Sequence, residues 1–214
     1  MVDLSPLSQA VIEGHYDKTA QLTTAALDSG AKPQDIIAHG LQAAMAVVGE
    51  RFSSGEYFLP DMLMAARAMT NAMEVLKPLI AKTGMITLGR VVLGTVKGDV
   101  HDIGKNMVGM FLKGTGFEII DLGVDVPDEK FVETVREIKP DILGLSALLT
   151  TTMPSLGTVI KALEVAGLRS DVKVIVGGAS VTQKYADLVG ADAYGDDAGK
   201  TAKICKELIK KEAR

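Results

Sequence analysis

The chain has 214 residues, 47% hydrophobic and 23% charged, a composition that suits a globular protein and excludes a disordered or fibrous one. A formal net charge of −4 and an aromatic content of 4%, with no Trp, argue against a phosphate-backbone binder or a stacking platform for single-stranded nucleic acid. One cysteine, Cys205, excludes an internal disulfide, a zinc ribbon and a four-thiolate iron–sulfur site, and leaves three histidines, His15, His39 and His101, as the scarce nitrogen ligands. No apolar run reaches the length of about 18 residues that a membrane span needs. The N-terminus lacks a basic-then-apolar signal, so the expected setting is the cytoplasm, with no membrane partner.

The first 84 residues carry helical punctuation. Ser5-Pro6 pairs a cap residue with a first-turn proline, and predicts a short helix over about 6–13 that ends near Gly14. A second is expected over 16–29, closed by Gly30. A third starts at Pro33 and places Ile36, Ile37, Leu41, Ala44, Met45, Val48 and Phe52 on one apolar face before Gly55 stops it. A fourth starts near Pro60, carries Met62, Leu63, Ala66, Met69, Met73 and Leu76, and is expected to end at Pro78. Four such helices with short links read as an antiparallel bundle. Residues 81–87 read as a linker.

Beyond it the texture changes to β-rich runs at 90–96, 117–122, 141–146, 173–178 and, weakly, 191–194. Helical stretches fall between them at about 103–115, 128–138, 153–167 and 180–189, with a last at 198–212. This alternation predicts an α/β fold, a five-stranded doubly wound parallel sheet. The expected organisation is a helical bundle over 1–84 and an α/β domain over 88–214. In such a sheet ligands bind outside the carboxyl ends of the strands, so the loops there are the informative ones.

The first such loop reads Lys97-Gly98-Asp99-Val100-His101-Asp102-Ile103-Gly104-Lys105-Asn106. It matches neither the dinucleotide fingerprint nor a P-loop. It does set a histidine between two aspartates. An imidazole there can give one nitrogen to a metal while a carboxylate two residues away accepts its other N–H. The plainer reading is a surface loop in which Asp99 or Asp102 caps the next helix. The third strand is followed by Ser146-Ala147-Leu148-Leu149-Thr150-Thr151-Thr152, hydroxyls that could equally cap a helix. The fourth is followed by Gly177-Gly178, which allow something to approach the backbone or simply make a tight turn. Together, these small residues at one sheet edge suggest a slot.

The pattern Asp99-x-His101-x-x-Gly104, then Ser146-x-Leu148, then Gly177-Gly178, resembles the signature of cobalamin-binding domains. The stretch from Val96 to Asn106, with Asp121-Leu122-Gly123-Val124, is similar to the methyl-transferring branch, which includes corrinoid proteins and methionine synthase. The resemblance implies a Rossmann-like domain that binds cobalamin or a related corrinoid. His101 would replace the cofactor's own base as lower cobalt ligand, with Asp99 as its partner and Thr152 extending the relay. Gly98, Val100, Asp102, Ile103 and Gly104 would line the cofactor. Ser146, Leu148, Thr150, Gly177 and Gly178 would meet its nucleotide tail. In the corner from Val47 to Pro60, which is similar to the helical cap of that family, Phe52 and Leu59 match the residues that cover the cobalt-bound methyl group. Tyr57 and Phe58 could instead close the bundle core. Ala38 stands where methionine synthase carries a cofactor-contacting glutamate, a departure from the pattern. His15 and His39 are expected to be structural or solvent-facing, and the methionines at 62, 64, 69 and 73 to be core filler.

By the same resemblance the chain is a methyl carrier that is not catalytic alone. Co(I) would take a methyl group from a substrate-specific methyltransferase. Methyl-Co(III) would then pass it to a second methyltransferase that loads tetrahydrofolate or a thiol coenzyme. A reductive activating protein is implied as a third partner, and movement of the cap is expected to hinge on 81–87. The alternatives are a cobalamin-dependent sensor and the carrier subunit of an adenosylcobalamin mutase. A response regulator needs an aspartate after the third strand, where this chain has Ser146-Ala147-Leu148.

Overall fold

A computed structural model describes residues 2–83 and 87–212. The chain divides near residue 86 into two compact units.

The helical unit begins with α1 (Ser5–Ile12) and α2 (Tyr16–Asp28). One turn of helix, α3 (Pro33–Asp35), leads into a π-helical segment, Ile36–Gln42, and then α4 (Ala43–Ser53). The sequence pattern implied one regular helix here. The wider middle turns bury Ile36, Ile37, Gly40 and Leu41 together, and the Ser8 hydroxyl of α1 donates to the Gly40 carbonyl at 2.8 Å. The last helix, α5 (Leu59–Thr83), passes through Pro78 instead of ending there. Pro78 is on the exposed side, where water can take the carbonyl that loses its N–H partner. The expected linker is therefore helical as far as Thr83, and residues 84–86 lie outside the described residues.

Helix α1 packs on α2, α4 and α5, and α2 lies along α5. The shared core holds Leu7, Val11, Ile36, Leu41, Met45, Val48, Met62, Met69 and Leu76. Met62 and Met69 are core filler as expected, but Met64 is 41% exposed, because its position on α5 falls outside the apolar stripe. Buried Thr19 ties α2 to α5 by donating to the Ala68 carbonyl at 2.9 Å.

The α/β unit alternates β1 (Arg90–Thr95), α6 (Ile103–Gly114), β2 (Glu118–Asp121), α7 (Asp128–Ile138) and β3 (Ile142–Ser146). It continues with α8 (Pro154–Val165), β4 (Lys173–Gly177), α9 (Gln183–Val189), β5 (Ala193–Gly195) and α10 (Ala198–Glu212). All pairings are parallel, in the order β2-β1-β3-β4-β5. Central strands are hydrophobic throughout because helices cover both faces. One core packs Val92, Leu143, Val174 and Val176 against Phe131, Val135, Leu156, Val159 and Leu163.

Register places Thr95, Ser146, Gly177 and Gly195 in one row across the sheet's carboxyl edge. The order reverses at β1, so the loops after β1 and β3 leave this edge at the topological switch point. Helix α9 starts three residues later than the sequence pattern implied. Thr182 is extended there and its hydroxyl caps the helix by accepting from the Tyr185 N–H at 3.2 Å. No helix of the described residues is long and apolar enough to cross a membrane.

Candidate functional site

Beyond β1 the chain crosses the sheet edge in a short loop before α6 begins. Gly98, at φ 84°, makes the turn, and its N–H donates to Asp125 Oδ1 at 2.7 Å. The Asp125 N–H in turn donates to the Asp99 carbonyl at 2.9 Å. Asp125 itself has φ 52°, a conformation that aspartate tolerates better than most residues. The loop after β2 therefore braces the loop after β1, and this bracing turns the Asp99 side chain inward.

Asp99 is fully buried, at 0% exposure. Its Oδ1 accepts from His101 Nδ1 at 2.7 Å and from the His101 backbone N–H at 3.0 Å. Its Oδ2 accepts from the Thr152 hydroxyl at 2.6 Å and the Leu148 N–H at 2.7 Å, with the Leu149 N–H longer at 3.4 Å. Burial alone would push this carboxyl up. The hydrogen bonds from Thr152, from His101 and from Leu148 outweigh it and hold Asp99 well below the usual carboxylate range. Asp99 is thus a buried anion stabilised by donors from two loops, and one of those donors is the imidazole.

His101 keeps 46% of its side chain exposed. With Nδ1 committed to Asp99, Nε2 has no hydrogen-bond partner among the described residues. The Thr95 hydroxyl, at the end of β1, holds the His101 carbonyl at 2.9 Å. Val100 and Ile103 on either side of the histidine are 68% and 71% exposed. Leu149 and Val124, on the neighbouring loops, are 42% and 38% exposed.

The structure brings Asp99, His101, Thr152 and Leu148 into one bonded cluster. Thr152 does not cap α8, which has no side-chain cap and starts with Pro154. Asp102 accepts from the Asn106 side chain at 2.9 Å, at the entrance to α6. Gly104 and Thr150 are exposed. Ser146 ends β3 in register with Gly177. Gly178 has φ 127°, and a side chain there would meet the Ala147 carbonyl oxygen at 2.0 Å, so the close approach it serves is to this chain's own backbone. The Ser180 hydroxyl adds a second stitch between these loops, donating to the Leu148 carbonyl at 2.6 Å.

Thr95, Asp125 and Ser180 support the site, yet no local motif announced them. Thr95 reads as a residue inside the first β-rich run, Asp125 as an ordinary loop residue and Ser180 as the start of a helical stretch. Phe52 and Leu59 belong to the helical unit, the first half-buried and the second 37% exposed. Near them Tyr57 is structural, since its hydroxyl accepts from Arg51 at 2.9 Å and donates to the Ile12 carbonyl at 3.0 Å. Phe58 does not close the core; it is 67% exposed. His15 and His39 are both exposed.

Among the described residues no three His, Cys, Asp or Glu side chains converge as a metal cage. The donor set is one imidazole with an open nitrogen, buttressed by a buried carboxylate and flanked by exposed apolar side chains. That set fits a metal whose other ligands arrive with it in a large, partly apolar ring. It does not fit a bare ion, which would need several protein ligands.

Family models described as B12 binding domains match residues 89–208 and residues 4–77. Trimethylamine corrinoid protein 1 of Methanosarcina acetivorans is 44% identical over 197 residues, 91% of each chain. A cobalamin-binding protein from Desulfitobacterium hafniense, known from a crystal structure, matches with a TM-score of 0.84 at 37% identity, covering 97% of this chain and 99% of that one. A chain of the methanol:cobalamin methyltransferase complex from Methanosarcina barkeri matches with a TM-score of 0.85 at 35% identity, covering 97% of this chain and 79% of that one.

Proposed function

We propose that this chain, which belongs to the B12 binding domain family, is a corrinoid methyl carrier that works between two methyltransferases. The observation that carries the reading is the Thr152–Asp99–His101 chain at the sheet edge, with one imidazole nitrogen left open. A bound corrinoid supplies the cobalt that accepts and gives up the methyl group.

The chain's own residues bind and orient that group. His101, with Nδ1 bonded to Asp99, would hold the cobalt through Nε2. Asp99, held as a carboxylate, keeps the proton on Nδ1 and so fixes the tautomer in which Nε2 carries its lone pair outward. Thr152 and the Leu148 N–H hold Asp99 in turn, so the ring is oriented before any ligand arrives. Gly98, Val100, Asp102, Ile103 and Gly104 form the stretch that faces the ring, and the exposed Val100 and Ile103 lose water when it is covered. Ser146, Leu148, Thr150, Gly177 and Gly178 are assigned to the nucleotide tail. Phe52 and Leu59 are the apolar contacts that the helical unit offers to the cofactor.

The partners follow from the chemistry. A substrate-specific methyltransferase supplies the methyl group, and the likeness of this chain to a chain of a methanol:cobalamin methyltransferase complex supports this. A second methyltransferase, using tetrahydrofolate or a thiol coenzyme, takes the methyl group away. A reductive activating protein would keep the bound cobalt reactive, and the reducing cytoplasm is the compartment that suits such chemistry. The relatives are corrinoid proteins, which does not favour a sensor or a mutase subunit.

The test is spectroscopic. The full chain is loaded with methylcobalamin, and its visible spectrum is compared with that of His101→Ala. The expected result is a histidine-ligated spectrum that the variant loses, with stability lowered by about 1–2 kcal/mol because buried Asp99 loses one donor and keeps the others. An unchanged spectrum in the variant rejects the axial role, and failure of the wild type to bind any corrinoid rejects the carrier reading.

A further inference from the structure

Lys105 is a buried charge that the reading above does not use. It stands in the first turn of α6, and its side chain is 2% exposed. Burying an ammonium is costly unless it is paired and its protons are all placed. Here all three have acceptors: Asp121 Oδ1 at 2.6 Å, Asp121 Oδ2 at 2.5 Å and Asn106 Oδ1 at 2.8 Å.

What surrounds Lys105 shows what this arrangement holds. Asp121, the last residue of β2, also accepts from the Gly123 N–H at 2.9 Å. The Gly123 carbonyl accepts from the Thr95 N–H at 3.0 Å, and the Thr95 hydroxyl donates to the His101 carbonyl at 2.9 Å. On the other side, Asn106 donates from its side chain to Asp102 Oδ2 at 2.9 Å and from its N–H to the Asp102 carbonyl at 2.8 Å. The bonds therefore run from His101 through Thr95, Gly123, Asp121, Lys105 and Asn106 to Asp102, the residue next to the histidine. This circuit restrains the backbone on both sides of the His101 ring, while Asp99 restrains the ring itself. It also accounts for Lys105-Asn106 and Asp121-Leu122-Gly123, two stretches of the sequence pattern that contact no proposed ligand.

We infer that Lys105, with Asp121 and Asn106, is a positioning residue that sets the height and direction of the His101 imidazole before the cofactor binds. The inference rests on the carrier reading for its purpose, and on the bonds above for its geometry. Lys105 does not touch the cofactor; it acts through the backbone of residues 101 and 102.

The test uses the full chain as Lys105→Met and as Asn106→Ala. The first removes the buried charge and leaves Asp121, whose side chain is 43% exposed, in contact with water. The second is an exposed change that cuts the side-chain links from Asn106 to Asp102 and to Lys105 and leaves the Lys105–Asp121 pair in place. In the cofactor-free proteins, hydrogen exchange at the amides of 97–106 should quicken about tenfold, while β4 and β5 keep their protection. With hydroxocobalamin, affinity should fall about tenfold or more, and the bound fraction should show a smaller histidine-ligated component. A merely structural lysine would lower protection throughout the unit and leave the bound spectrum intact, which would overturn the inference. So would exchange and spectra equal to wild type. If Lys105→Met does not fold, Asn106→Ala decides by the same two readouts. Should wild-type protein bind no corrinoid, the carrier reading fails, and the exchange comparison alone judges whether the circuit holds the loop.

Discussion

The two units prepare for contact in opposite ways. In the α/β unit the reactive edge is a set of fixed polar bonds around Asp99, a carboxylate with no exposure at all. In the helical unit, the corner before α5 and the helix's first turns leave Phe58, Leu59, Leu63 and Met64 uncovered, at 67%, 37%, 43% and 41% exposure. Hydrogen bonds are directional, and those around Asp99 fix the direction of the His101 ring beforehand. Apolar contact is not directional, and leaving such side chains bare is enough to favour whatever later covers them. Order is concentrated where misalignment would be costly.

That contrast can be broken most severely at Asp99. Asp99→Ala leaves the Leu148 N–H without its acceptor and the Thr152 hydroxyl with only the Leu149 carbonyl, at 3.0 Å. Stability should fall by about 3 kcal/mol, read from urea unfolding of the full chain. A loss below about 1 kcal/mol would mean that the cluster does not hold the sheet edge rigid.

A smaller effect is expected from acid. The folded protein holds Asp99 below its ordinary carboxylate value, so the unfolded chain binds the proton more readily. The stabilisation is therefore complete above the usual carboxylate range and is lost as pH falls through it towards the folded value. The stability gap between wild type and Asp99→Asn should be widest at neutral pH and should narrow by pH 3, in denaturation curves taken at both. A gap that stays constant would show that ionisation of Asp99 contributes nothing.

The smallest effect is expected in the helical unit. Phe58→Ser combined with Leu63→Ser removes apolar side chains that are 67% and 43% exposed. It should change cofactor-free stability by no more than about 0.5 kcal/mol, while weakening corrinoid binding or transfer from the methyltransferase. A large loss of stability would place these side chains in the fold instead.

The parts of this architecture that were legible in the chain were local. Residues 128–138 carry their helix in their own apolar period, and α7 occupies those residues. The bond between Asp99 and the His101 N–H spans two residues, a turn that aspartate makes by itself. Pro78 misled because its rule describes an average helix, whereas here an exposed position and the packing of α5 on α2 outweigh the missing N–H. The π-helical segment left no trace in the apolar spacing; within it the Gly40 carbonyl accepts from Ser8 of α1, a contact between residues far apart in the chain. Cys205, buried on α10 with its thiol pushed up to about 12 by burial, shows how ordinary a lone cysteine can be.

The sequence by itself determined the alternation of strands and helices, the change of texture near residue 84, and the histidine flanked by aspartates at the first strand's end. These follow from hydrophobic period and short-range geometry, which act within a few residues. Tertiary structure alone decided that Asp121 reaches Lys105 across the β2 edge and that the Ser180 hydroxyl reaches the Leu148 carbonyl, while Thr152, fifty-three positions from Asp99, was indicated by the family resemblance and not by spacing. The register of parallel strands sets those meetings. Register is a property of the whole sheet, because each strand's place depends on covering the faces of its neighbours.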